Sequence, residues 1–183
     1  MIEVEAKFPV RDKMKLHEAL QSLCSNATVC EFLQTDEYFN HPSRDFDKTD
    51  EALRIRECNG SLELTYKGPR LDAVTKTREE LELKIGSVSM SGSRESLRAI
   101  LIALGFTPAG CVEKTRCSWQ CRFEDQDVTA SIDQVVGLPV YAELEIACEE
   151  SSREQATGVI LRLAEWLQLG DGERRSYLEL LGF

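Results

Sequence analysis

Most of the chain alternates apolar and polar residues with a period of two, a pattern typical of β-strands. In residues 2–8 the apolar positions are Ile2, Val4, Ala6 and Phe8. The same period recurs along the chain and predicts eight strands, over residues 2–8, 28–39, 52–58, 62–67, 74–85, 111–123, 127–134 and 140–148. Asn59-Gly60 predicts a tight hairpin between the third strand and the fourth.

Three other segments repeat their apolar residues with the period of an amphipathic helix, over residues 10–24, 94–104 and 152–169. Ser93 is the predicted N-cap of the second helix, and Gly105 is predicted to end it. The polar segment 40–51 is predicted to be an exposed, mobile loop. Because no linker rich in Pro, Gly or Ser divides the chain, residues 1–183 are predicted to form one domain.

One face of nearly every predicted strand carries charge. Residues 74–85 show this most clearly, since one face holds Lys76, Arg78, Glu80, Glu82 and Lys84 and the other holds Leu81, Leu83 and Ile85. Charged residues also alternate with apolar ones around Arg54, Arg56, Lys114, Arg116, Glu143 and Glu145. These faces either form a solvated exterior or point into the centre of a closed barrel.

The helices favour the closed barrel. Three amphipathic helices need an apolar sheet surface to cover, which places the charged faces inside. Eight strands close at a size that leaves space for one small ligand. We therefore predict an α+β fold, a closed eight-stranded antiparallel β-barrel that forms a tunnel with a charged lumen and is covered outside by amphipathic helices.

The charges of such a lumen predict its ligand. Buried charges are costly unless they are paired or ligated, so many cations and carboxylates together indicate an anionic ligand and metal ions. Arg and Lys, including Arg78, suit phosphate oxygens. Pairs of glutamates spaced two apart on a strand, without His or Cys, suit Mg²⁺ or Mn²⁺. The sequence thus predicts a metal-dependent enzyme that binds a nucleotide or other triphosphate.

Composition and charge bear on the binding partners and the cellular location of the protein. The net charge of −10 and the pI of about 4.8 argue against binding to duplex nucleic acid. No apolar run is long enough to span a membrane, and the N-terminus does not resemble a signal peptide. The 7 cysteines form no CxxC pair, and only 2 histidines accompany them. Reduced cysteines in a cytoplasmic protein are therefore predicted, in preference to a zinc site or disulfides.

The ordered motifs resemble those of the CYTH superfamily, also called triphosphate tunnel metalloenzymes. The chain opens with Glu3-Val4-Glu5-Ala6-Lys7, which is similar to the family's ExExK motif. The other matching segments, in chain order, are 36–39, 53–56, 64–69, 78–82, 113–116, Asp133 and 143–145. Residues 65–69, 78–80 and 175–181 look most like the class IV adenylyl cyclase branch. The resemblance covers nearly the whole chain.

This resemblance implies roles for individual residues. The implied metal ligands are Glu3, Glu5, Glu143 and Glu145, with Asp133 near them, and they would hold Mg²⁺ or Mn²⁺, as two ions when substrate is bound. The implied triphosphate ligands are Lys7, Arg54, Arg56, Lys67, Lys76, Lys114 and Arg116. Among these, Lys67, Lys114 and Arg116 would act in catalysis by stabilising the leaving group. Glu80 and Glu82 would line the tunnel.

The superfamily contains several activities, and the sequence leaves them open. An adenylyl cyclase would convert ATP to cyclic AMP and pyrophosphate, whereas a triphosphatase would hydrolyse thiamine triphosphate, inorganic triphosphate or a nucleoside triphosphate. A polyphosphate-binding module would need the cations but not the paired glutamates. The physiological metal and the oligomeric state, including a homodimer, also stay open at this point.

Overall fold

Eight antiparallel strands form a closed barrel in the computed structural model, which describes residues 2–24, 30–71, 75–87 and 92–183. The strands are β1 (Ile2–Pro9), β2 (Cys30–Asn40), β3 (Ala52–Cys58), β4 (Ser61–Lys67), β5 (Arg78–Ser87), β6 (Thr107–Phe123), β7 (Gln126–Val135) and β8 (Val140–Cys148). Around the barrel they follow the order β1-β5-β4-β3-β2-β6-β7-β8. The predicted fold class is confirmed. Residues 28, 29 and 74 of the predicted strands lie outside the described residues.

The helices are α1 (Lys13–Leu23), α2 (Phe46–Thr49), α3 (Ser93–Ala103), α4 (Arg153–Trp166) and α5 (Tyr177–Leu180). Three of them correspond to the predicted helices: α1 and α4 are shorter than predicted, and α3 begins and ends one residue earlier. The predicted N-cap of α3 is wrong, because Gly92, with φ of 99°, holds that position and Ser93 is already helical. A glycine adopts this left-handed conformation without the steric cost that a Cβ would bring.

Strand alternation divides the barrel wall into an apolar outside and a charged inside. On β1, Val4 and Phe8 face the main core, while Glu5 and Lys7 point the other way. Across the pair formed with β8, Glu5 lies opposite Glu145 and Lys7 lies opposite Glu143. The register of these two strands therefore brings the glutamates of both into the lumen.

The main hydrophobic core lies between the barrel and helices α1 and α4. Its most buried members include Trp119, Leu144, Ile160 and Leu163. A second core beside α3 contains Phe39, Phe46, Leu53, Ile55, Leu62 and Leu101. The helices do not cover the whole outer surface, since Leu81 and Leu83 on β5 are each 60% exposed. The prediction that the apolar face of this strand is buried beneath a helix is wrong.

The segment 40–51 is more ordered than an exposed loop. It contains α2, and Phe46 at the start of that helix is buried in the second core. Asn40 at its beginning is the last residue of β2, and Glu51 accepts a hydrogen bond from the Tyr66 hydroxyl at 2.5 Å. Residues 42–45 and 47–49 are exposed as predicted, but the prediction missed α2, because one phenylalanine among many polar residues is enough to anchor a short helix.

A disulfide joins Cys24, which caps the C-terminus of α1, to Cys121 on β6, with the two Cα atoms 5.1 Å apart. The prediction that the cysteines are all reduced is therefore wrong. The two residues are 97 positions apart in sequence, so only the packing of α1 on the barrel brings them together. A link over so long a loop restricts the unfolded chain.

Reduction of this disulfide is expected to lower the free energy of unfolding by about 3–4 kcal/mol. Urea unfolding measured with and without dithiothreitol checks this, and alkylation followed by mass measurement counts the thiols released. In the Cys121→Ala variant, reductant should have no effect on stability. Equal stability of the wild type under both conditions would contradict the expectation.

Candidate functional site in the barrel lumen

The lumen holds a cavity of about 200 Å³ at the centre of the barrel. Charged and polar side chains from β1 to β6, from β8 and from the start of α5 surround it, which brings together residues that are far apart in sequence. Its lining consists of Glu3, Glu5, Asp36, Tyr38, Ala52, Arg54, Arg56, Lys67, Lys76, Arg78, Glu82, Lys114, Arg116, Glu143, Glu145, Ser176 and Tyr177. Twelve of the residues predicted for the site are in this lining.

Further cavities adjoin the lumen at its two ends. One, of about 250 Å³, shares Tyr38, Ala52, Arg78 and Ser176 with the central cavity, and we call it the Asn40 mouth after another residue of its lining. The other, of about 480 Å³, shares Arg56, Glu82 and Arg116 with the centre, and we call it the Lys84 mouth. An elongated ligand can therefore extend beyond the central cavity in either direction.

Four carboxylates of β1 and β8 face cations across the lumen. Lys67 Nζ lies 3.3 Å from Glu3, and Lys76 Nζ lies 2.8 Å from Glu5. Arg116 forms ion pairs with Glu143 and, at 3.4 Å, with Glu145. In this state the charged groups that line the lumen neutralise one another.

The two glutamates of β8 differ in how well their charges are compensated. Burial and the nearby Glu3 carboxylate raise the pKa of Glu145 to about 8. Burial acts in the same direction on Glu143, but Lys114, Arg116 and Lys76 outweigh it and hold the pKa of that carboxyl well below its usual range. Although Arg116 lies 3.4 Å away, the charge of Glu145 is therefore the less well compensated of the two.

This donor set suits a hard divalent cation. Only carboxylate oxygens are offered by Glu3, Glu5, Glu143 and Glu145, as Mg²⁺ and Mn²⁺ prefer. Among the described residues, no three His, Cys, Asp or Glu side chains are already arranged as a metal site. The glutamates fit a metal by their chemistry and their crowding, and their side chains must exchange partners to bind one.

Asp133, predicted to lie near the metal, is fully buried behind the cavity wall. Its carboxylate accepts hydrogen bonds from Arg116 Nε at 2.7 Å, from Lys114 Nζ at 2.8 Å and from the Tyr177 hydroxyl at 2.9 Å. These bonds fix the positions of two cations that do line the cavity. The geometry therefore favours a positioning role for Asp133 over metal binding.

Asp36, on β2, similarly holds cations in place. Its carboxylate pairs with Arg56 through two hydrogen bonds of 2.7 and 2.8 Å, and Arg54 lies 3.6 Å away. Asp36 shares the inward face of β2 with Tyr38, which also lines the cavity. The sequence motif at 36–39 contained both residues, but nothing in it assigned them a role.

Lys7 and Glu80 also lie outside the cavity lining. Lys7 is buried, donates a hydrogen bond to the Arg175 carbonyl, and lies 4.1 Å from the centre of the Tyr177 ring. Burial and the nearby Lys76 lower the pKa of Lys7 to about 7. Glu80 pairs with Lys67 instead. Direct contact of Lys7 with substrate remains a prediction that would require this lysine to leave its pocket.

The Asp36 pairs are expected to make stability depend on acid. Burial would raise the pKa of Asp36, but Arg54 and Arg56 hold it well below its usual range. Its folded pKa is thus below the unfolded value near ~4, so the stabilisation is present above ~4 and is lost as pH falls through the folded pKa. Asp36→Asn should lower the free energy of unfolding by about 2 kcal/mol or more at pH 7.

Urea unfolding of the wild type and of Asp36→Asn at several pH values between 7 and 2.5 measures this effect. The gap between the two proteins should narrow toward the acidic end. A gap that stays constant with pH would show that the loss comes from packing and not from the charge.

Comparison with known proteins gives consistent results. A model of the CYTH domain matches residues 1–177. A proposed adenylate cyclase of Methanocaldococcus jannaschii is 38% identical over 185 residues, which cover 100% of this chain and 99% of that protein. In the part of the chain that the structure describes, no helix is long and apolar enough to cross a membrane.

Solved structures share the fold. A Pyrococcus horikoshii protein is 35% identical, with a TM-score of 0.83 over 98% of this chain and 97% of that one. A Hippeastrum protein, described as a proposed adenylyl cyclase with a dominant triphosphatase activity, is 18% identical. Its TM-score is 0.66 over 98% of this chain and 93% of that one, which is a likeness of fold alone.

Proposed function

The chain belongs to the CYTH family, whose members are enzymes that act on triphosphates, and from this membership we propose that it is a metal-dependent adenylyl cyclase-like enzyme. The reaction would convert ATP to cyclic AMP and pyrophosphate. The name of the Methanocaldococcus relative supports this choice within the family, since that protein matches the chain over its full length.

One observation carries the proposal. Seven cationic side chains line the central cavity, namely Arg54, Arg56, Lys67, Lys76, Arg78, Lys114 and Arg116. They come from β3 to β6 and from the segment before β5, and they point at one small volume. A triphosphate matches this arrangement because it carries several negative charges along a short chain.

The residues that line the cavity would have different roles in binding and catalysis. Arg54, Arg56, Lys76 and Arg78 would hold the phosphate chain, with Asp36 keeping the arginines of β3 in place. Lys67, Lys114 and Arg116 would stabilise the charge that develops on the leaving pyrophosphate. When bound, the divalent cation held by Glu3, Glu5, Glu143 and Glu145 would supply Lewis-acid stabilisation of phosphate charge.

Hydrolysis of a triphosphate is the second candidate. The same cationic lining would hold the substrate. Water would attack the terminal phosphorus, whereas in the cyclase reaction the ribose 3′-hydroxyl would attack the α-phosphorus. The Hippeastrum protein shows that a fold of this kind can carry a dominant triphosphatase activity in a protein named as a cyclase.

Incubation of the purified protein with ATP and Mn²⁺, followed by chromatography of the products, tests the proposal. Cyclic AMP with pyrophosphate is the expected result. ADP with phosphate would replace the cyclase by a triphosphatase. Binding of tripolyphosphate without turnover of any triphosphate would overturn the enzymatic function in favour of a binding module.

A further inference from the structure

The Asn40 mouth differs in character from the lumen it adjoins. Aromatic and aliphatic side chains form much of its wall, including Phe46, Leu53, Leu178 and Phe183. Its volume of about 250 Å³ is sufficient for a flat heterocycle, and it is continuous with the cationic cavity through Tyr38 and Arg78. A ligand with an anionic tail and an apolar ring would match the two compartments in turn.

Asn40 brings a polar group to this apolar mouth. It ends β2, on the strand whose inward positions are Gln34, Asp36 and Tyr38. Within the part of the chain that the structure describes, the Asn40 amide makes no hydrogen bond. The Gln34 amide at the Lys84 mouth is, by contrast, already engaged, since it donates to Asp36 in one orientation of the amide and accepts from Arg56 in the other. Asn40 therefore has a donor and an acceptor available for a ligand.

We propose that the Asn40 mouth binds the ring of the substrate, and that the Asn40 amide recognises, through hydrogen bonds, a heterocycle carrying an exocyclic amine next to a ring nitrogen. The amide oxygen accepts a hydrogen bond from the amine while the amide nitrogen donates one to the ring nitrogen, as in known asparagine contacts with adenine. The adenine of ATP and the aminopyrimidine of thiamine triphosphate share this edge. The inference rests on the proposed function, which places the phosphate chain in the lumen.

The charges around the mouth agree with this orientation. Arg70 and Arg78 are drawn together by Asp50, at 3.3 and 3.7 Å, on the side where the mouth meets the lumen. The Lys84 mouth is lined mainly by polar and charged residues, among them Ser61, Glu63, Glu82 and Lys84. Two large apolar side chains, Phe32 and Leu62, also line it, which is fewer than at the Asn40 mouth, so the Asn40 mouth is favoured for the ring and the Lys84 mouth for the phosphate end of the substrate.

The Asn40→Ala variant tests the inference with four ligands, namely ATP, purine riboside triphosphate, thiamine triphosphate and tripolyphosphate. Turnover is measured as kcat/KM, and a ligand that binds without turnover, as tripolyphosphate would in a cyclase, is measured by its inhibition constant against ATP. Purine riboside triphosphate keeps the ring nitrogen of ATP but lacks the amine, and tripolyphosphate has no ring. For the ligand whose ring binds in the Asn40 mouth, the variant should lose about tenfold in kcat/KM or in the inhibition constant. For tripolyphosphate it should lose nothing. Because the amine is missing, the loss for purine riboside triphosphate should be clearly smaller than for ATP.

The selective loss identifies the ring, since a loss for ATP alone indicates adenine and a loss for thiamine triphosphate alone indicates the aminopyrimidine. Gln155→Ala, which removes an exposed amide on α4, serves as the matched control. Equal loss on every substrate, or no loss on any, would overturn the role of Asn40 while leaving the triphosphate enzyme intact. Absence of turnover of all four substrates by the wild type would instead overturn the proposed function itself. Thermal unfolding of each variant verifies its fold.

Discussion

Replacing Glu145 with glutamine is expected to lower kcat/KM by about a hundredfold or more and, in the absence of divalent cations, to stabilise the protein. The first effect follows because the substitution removes a predicted metal ligand. The second follows because burial and Glu3 raise the pKa of Glu145 to about 8, so its ionised form is disfavoured in the folded state. At pH 9 a neutral amide should raise the free energy of unfolding by about 1 kcal/mol.

Glu143→Gln is the matched comparison, since it makes the same chemical change on the same strand. Glu143 is compensated by Lys114, Arg116 and Lys76, so its neutralisation should destabilise the protein while also lowering activity. Urea unfolding in EDTA and steady-state kinetics with Mn²⁺ measure the two effects for each variant. Destabilisation by both substitutions would contradict the view that the charge of Glu145 is less well compensated than that of Glu143.

The Asp133→Asn substitution is expected to have the largest effect on stability, a loss of about 3–5 kcal/mol. Asp133 is 0% exposed and lies between Lys114 and Arg116. Neutralising it leaves two buried cations short of a partner and presents the amide hydrogens to groups that themselves donate. Activity should fall as well, because both cations line the cavity.

Asp127→Asn provides the control on the same strand. Its side chain is 86% exposed and, within the described residues, its ion pair is with Arg122 at 3.6 Å, so the change in free energy of unfolding should stay within about 0.5 kcal/mol. Urea unfolding of both variants at neutral pH decides the question. A loss for Asp133→Asn no greater than that for Asp127→Asn would show that Asp133 does not hold the cationic wall.

Much of the fold was predictable because successive side chains of a strand point to opposite faces of the sheet. The alternating charges of Glu3, Glu5 and Lys7, and those of Glu143 and Glu145, indicate which face of β1 and of β8 enters the lumen. The convergence of Arg54, Lys114 and Glu143 followed from barrel closure, since alternation places all inward residues around one axis. Their roles in binding and catalysis remain predictions.

The remaining features depend on three-dimensional distances that alternation does not encode. Asp133 shares the inward parity of β7 but lies behind Arg116, because longer side chains in front of it fill the space. The Cys24–Cys121 disulfide depends on where the end of α1 meets β6. The exposure of Leu81 depends on where α3 packs, and the alternation of residues within a strand does not predict which part of that strand a helix will cover.

The location of the cations inside the lumen also affects which ligand form reaches them. The chain carries a net charge of −10, and seven of its basic side chains are drawn inward around the cavity, which leaves an exterior dominated by acidic groups. Such an exterior repels a bare polyanion at long range and attracts divalent cations. The approach to the barrel should therefore favour a polyphosphate already complexed by its counterion, before any residue of the tunnel makes contact with it.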